Sequence, residues 1–97
     1  MDKNILSNIM DAYNGSRVSY EFFRYKSTHA KSPDEYDKYT SFALRNFQIC
    51  EGLEIAIECY PEELYICYLE TITYRGIKLT VLKYRIYEPD KTVDLSV

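Results

Sequence analysis

The stretch Ser32-Pro33-Asp34-Glu35 constrains this chain more than any other, because each residue in it suits a different position at the start of an α-helix. A serine hydroxyl at the cap accepts a hydrogen bond from an amide of the first turn, and a glutamate three residues on reaches back to the amide of the cap. Proline is preset for the first helical position, and Asp34 and Glu35 complement the positive end of the helix dipole. A helix therefore starts at residue 33. Tyr36, Tyr39, Ala43, Phe47 and Cys50 continue it at helical spacing, and Gly52 is the expected stop. The alternative is a helix that runs through Gly52 to Tyr60 and breaks at Pro61, which Leu53, Ile57 and Tyr60 allow.

Upstream, Ile5, Leu6, Ile9, Met10 and Tyr13 form one stripe of a 3.6-residue period, and Gly15 sits where a left-handed cap would end a helix over 3–13. Arg17 to Lys26 fits two patterns. Val18, Tyr20 and Phe22 alternate as in a strand, whereas Val18, Phe22 and Tyr25 fit a helix, and the density of aromatic and β-branched residues favours the strand. Downstream of Gly52, Leu53, Ile55, Ile57 and Cys59 alternate with Glu54, Ala56, Glu58 and Tyr60, which predicts a strand ending at a Pro61-Glu62-Glu63 turn. Leu64 to Tyr74 and Ile77 to Tyr87 read as a hairpin closed by Arg75-Gly76. Ile77, Leu79 and Val81 share one parity and Leu82, Tyr84 and Ile86 the other, which predicts a bulge near Val81. Glu88-Pro89-Asp90-Lys91 turns the chain out, leaving Thr92 to Val97 as an edge strand or a loose end. The expected architecture is α+β: two helices packed on one face of an antiparallel sheet of three to four strands, in the order α-(β)-α-β-β-β.

The 97 residues fit a single globular domain over 1–97, a size at which a deep substrate cleft is hard to house. Eleven tyrosines against four phenylalanines and no tryptophan set the character of its surface. A tyrosine ring buries as an apolar body while its hydroxyl keeps needing a partner, so many of these side chains must end half packed and half wet. The net charge of −3 argues against a general nucleic-acid binder. Its acids concentrate between residues 32 and 70, with bases before and after, a bipolar distribution suited to steering a charged partner. The N-terminus has no apolar run of signal-peptide length, and no stretch approaches a membrane span. Cys50, Cys59 and Cys67 lie in apolar stretches and read as reduced core thiols, so the expected compartment is the cytoplasm.

The sequence carries few residues arranged for catalysis. His29 is the only histidine and reads as a surface residue. The cysteines lack the close spacing of a zinc site, and the isolated Gly15, Gly52 and Gly76 form no phosphate loop. No cofactor or metal is expected. Glu51, Glu54 and Glu58 align only if the helix continues through Gly52; on a strand, Glu54 and Glu58 belong to a solvated face. Arg75, Lys78, Lys83 and Arg85 interleave with Tyr74, Tyr84 and Tyr87, a pattern that also holds single-stranded nucleic acids.

No motif matches a known family residue by residue. The expectation is a non-enzymatic protein-binding module with another protein as its partner. It would act as a small inhibitor or adaptor that covers a working surface, analogous in size and type to phage-encoded inhibitors of host defence. Its anchors would be Tyr60, Tyr65, Tyr68, Tyr74, Tyr84 and Tyr87, with Glu54, Glu58 and Glu62 supplying electrostatic complementarity. Three alternatives stand beside it: a small RNA- or single-strand-binding protein built on the hairpin, an enzyme of unrecognised type using Glu54, Glu58 or Cys59, and a self-associating subunit that pairs through a sheet face or an edge strand.

Overall fold

The computed structural model describes residues 3–88. Helix α1 spans Lys3–Thr28 and helix α2 Pro33–Glu58; a short 3-10 turn at Glu62–Leu64 leads into strand β1, Tyr65–Tyr74, which pairs with β2, Ile77–Ile86. The α+β class holds, with the order α-α-β-β and an antiparallel sheet of two strands in place of three to four. Thr92 to Val97 lie outside the described residues.

Helix α2 begins where the sequence places it. Ser32 is extended, and its hydroxyl accepts from the Glu35 N–H at 3.1 Å. Both glycines expected to end helices lie inside them. Continuing α1 through Gly15 costs about 1 kcal/mol relative to alanine, whereas burying a Phe side chain returns about 1.5–3 kcal/mol. Phe22 makes the difference: it is buried against Leu79 and Val81, with Val18 and Phe23 packed around it. The strand expected over 17–26 is therefore helix, further supported by Arg17 and Glu21 pairing across one turn at 3.2 Å.

The strand expected over 53–60 is helix as far as Glu58 for the same reason. Ala43, Cys50 and Ile57 recur every seventh residue and are all buried, so extending α2 past Gly52 prolongs one continuous stripe. A strand would have placed Ile55 beside Ile57; on the helix Ile55 is instead 65% exposed. The helix stops as Pro61 approaches, with the Cys59 N–H bonding back to the Ala56 carbonyl and the Tyr60 N–H to that of Ile57.

The hairpin turns where expected. Arg75 and Gly76 have φ of 50° and 80°, the paired left-handed conformations of a type I′ turn. The ladder runs unbroken from Tyr65 opposite Ile86 to Tyr74 opposite Ile77, so the bulge expected near Val81 is not formed. The parity change has a different cause, which is Asn14. Its side-chain Nδ2 donates to the Tyr84 carbonyl and its Oδ1 accepts from the Tyr84 N–H, each at 2.9 Å. Helix α1 thus crosses the outer edge of β2 at Asn14, one carboxamide taking the place of a neighbouring strand. Beyond the crossing, Leu79 and Val81 meet Phe22 on one face of the ribbon. Before it, Tyr84 and Ile86 meet Leu6, Met10, Tyr13 and Ile57 on the other. No helix among the described residues is long and apolar enough to cross a membrane.

Candidate functional site

Helix α2 carries a second stripe that α1 does not cover. Tyr36, Thr40, Leu44, Phe47, Glu51, Ile55 and Glu58 step along its flank by three or four residues, and all of them are exposed. Leu44 and Ile55 are 56% and 65% exposed, against the fully buried Ile57 on the covered stripe. A helix with two apolar stripes has one more than its single helical neighbour can bury.

Two hollows follow this flank along the seam between the helices. One, of about 370 Å³, is apolar and lined by Tyr20, Arg24, Ser27, Tyr36, Thr40, Ala43, Leu44 and Phe47. The other, of about 250 Å³, is lined by Arg17, Phe47, Cys50, Glu51, Glu54, Ile55 and Glu58. They share Phe47, whose ring packs on Tyr20 of α1 at 5.4 Å, so an apolar half and an acidic half form one groove. The carboxylates align because α2 continues through Gly52.

Below the acidic half lies an ion row on α1. Arg17 reaches Glu21 at 3.2 Å, Arg24 reaches the other Glu21 oxygen at 3.7 Å, and Arg17 also donates to the Tyr13 hydroxyl at 3.3 Å. Burial works against the Arg17 charge, but Tyr13 and Glu21 outweigh it and hold the guanidinium firmly protonated. Burial pushes the Tyr13 hydroxyl and the Cys50 thiol above their ordinary values, with Arg17 opposing in both cases. Burial in the core thus disfavours the Cys50 thiolate.

The expected anchors are scattered. Tyr84 is buried, not exposed; its ring meets Tyr13 edge-on at 4.9 Å and Tyr65 at 5.8 Å. It sits at the crossing of helix and hairpin, where an inward aromatic closes the core, and burial drives its hydroxyl well above the usual tyrosine range. Tyr60 and Tyr65 are half-buried on the same cluster, and Tyr74 is half-buried against Phe22 at 5.2 Å. Tyr68 is half-buried beneath the Arg85 guanidinium, 5.7 Å from its ring centre, and Tyr87 is exposed. Of the acids, Glu54 and Glu58 line the groove, while Glu62 opens the 3-10 turn.

Cys59 and Cys67 are exposed rather than in the core, the first just past the end of α2 and the second on the outer strand; all three thiols are free. Three of the four bases of the hairpin are engaged within the chain, and Lys78 is exposed. Lys83 pairs with Glu70 at 2.7 Å, and the Arg75 guanidinium lies over the Phe22 and Tyr74 rings. His29 is exposed and stacked on Tyr25 at 4.0 Å. Among the described residues no group of three or more His, Cys, Asp or Glu side chains is placed to hold a metal ion.

Tyr36, Leu44 and Ile55 were not expected from the sequence as one exposed stripe. Their spacing was available in the sequence, but ending the helix at Gly52 cut the stripe in two. No protein-family model, curated protein or solved structure matches this chain.

Proposed function

We propose that this chain is a non-enzymatic protein-binding module, an inhibitor or adaptor that docks its partner along the uncovered flank of α2. The observation that carries this reading is the second stripe itself, with exposed apolar side chains at one end and carboxylates at the other. A partner helix with an apolar seam and a cationic end fits both halves. Tyr36, Leu44, Phe47 and Ile55 act as anchors, and Glu51, Glu54 and Glu58 steer association. Arg75, Lys83 and Arg85 of the hairpin, already paired or stacked within the chain, give less support to a nucleic-acid role.

The test compares proteins retained from the native cell by the wild-type chain and by a Leu44→Glu, Ile55→Glu double variant. The true partner is retained by the wild type and lost by the variant, although the variant keeps its helical circular dichroism and unfolding midpoint. Retention of the same proteins by both would overturn the proposal.

A further inference from the structure

Among the described residues no strand pairs with the outer edge of β1, and the hydrogen-bond geometry identifies which backbone groups that edge presents. The Tyr84 N–H and carbonyl both face Asn14, so Tyr84 and its partner Cys67 form a non-hydrogen-bonded pair of the ladder. The Tyr87 N–H donates to the Leu64 carbonyl at 2.9 Å, which fixes the same parity independently. Odd-numbered residues of β1 therefore aim their N–H and carbonyl groups away from β2. The Tyr65 N–H bonds back to Glu62; Cys67, Leu69, Thr71 and Thr73 find no such partner among the described residues.

None of the usual guards against edge pairing is present on this strand. It is ten residues long, unbulged, and without proline or lysine. Its one charge, Glu70, is neutralised by Lys83. Leu69, at the middle of the edge, is 69% exposed.

We infer that β1 pairs antiparallel with β1 of a second copy, forming a four-stranded sheet across a two-fold axis at Leu69. Outward residues must face outward residues, so the axis passes through an integral position of the strand. An axis at Glu70 would set two carboxylates directly opposite each other, and axes farther from the centre shorten the overlap. The axis at Leu69 sets Leu69 against Leu69 of the second copy, Ile66 against Ile72, Cys67 against Thr71, and Glu70 against Tyr68. The contacts are apolar or neutral throughout, and the two copies meet through identical surfaces, as a closed dimer requires.

Sedimentation equilibrium on the whole chain tests this. The wild type forms a dimer, and Leu69→Lys weakens dimerisation by at least about 100-fold while leaving the circular dichroism unchanged. Leu69→Pro does the same by removing an outward N–H without touching the β1–β2 ladder. Ile55→Glu, on the α2 flank, leaves the dimer intact. In a Cys59→Ser background, Thr71→Cys forms an intermolecular disulfide with Cys67 under mild oxidation and Thr73→Cys does not. A monomeric wild type, a dimer that survives Leu69→Lys, or a dimer lost with Ile55→Glu would each overturn the inference.

Discussion

Asn14 does more for this fold than its place in the sequence suggests. It stands in the middle of a helix, one residue before Gly15, a position where asparagine is neither a good helix former nor a core residue. Its carboxamide satisfies two backbone groups of Tyr84 at the point where helix and hairpin cross. Asn14→Ala orphans both, and the unfolding free energy in urea should fall by about 1–3 kcal/mol. Asn14→Asp should not restore it, because a carboxylate at neutral pH accepts from the N–H and cannot donate to the carbonyl. A loss below about 0.5 kcal/mol for Asn14→Ala would show that water replaces the clamp.

The buried hydroxyls beside it set the alkaline limit. Tyr84 and Tyr13 are both raised, with burial the leading cause in each. The folded state holds these protons where the unfolded chain has released them, so it binds more protons and the unfolding free energy falls as pH rises. The decline should begin near the unfolded tyrosine value, at about pH 10, with stability unaffected by these groups below it. Tyr84→Phe should make the decline shallower in denaturation midpoints measured from neutral to alkaline pH. An identical slope in wild type and variant would remove Tyr84 from the account.

Within the elements, local signals differ in how far tertiary contacts can override them. The Ser32 cap forms one arm of its expected box, and Ser32→Ala should cost about 0.5–2 kcal/mol of stability. Gly15 and Gly52 are interior helical positions, and a Cβ added at either meets nothing within 4 Å. Gly15→Ala and Gly52→Ala should each raise stability by up to about 1 kcal/mol in chemical denaturation. Gly76→Ala should lower it, since its φ of 80° is unfavourable for a residue with a Cβ. If Gly52→Ala were destabilising, α2 would have to break at Gly52 in solution, dividing the proposed flank.

Taken whole, the molecule is a plate of 52 × 30 × 15 Å, with α1 central and α2 and the hairpin flanking it. A plate this thin leaves much of each flanking element uncovered, and the three most exposed large apolar residues fall on the outer parts: Leu44 and Ile55 on α2, Leu69 on β1. The β1 edge makes stability depend on association. The thermal midpoint of the wild type should rise with protein concentration and that of Leu69→Lys should not. A concentration-independent wild-type midpoint would count against pairing of the copies.

The sequence by itself determined the features whose causes lie within a few residues. Ser32 to Glu35 start a helix because cap, proline and acids all act on its first turn, and Arg75-Gly76 close a hairpin because two residues suffice for the turn. Glu54 and Glu58 were named from the sequence but placed on a strand, and they line the groove together only because α2 continues through Gly52. Tertiary structure decided the rest. Whether α1 passes Gly15 depends on Phe22 finding Leu79 and Val81, and whether α2 passes Gly52 depends on Ile57 reaching α1 and the hairpin. The Leu79-to-Tyr84 parity change marks where a helix crosses a strand edge, and nothing in residues 77–86 distinguishes that from a bulge. A glycine weakens a helix by about 1 kcal/mol, and a distant side chain that buries there can reverse the outcome.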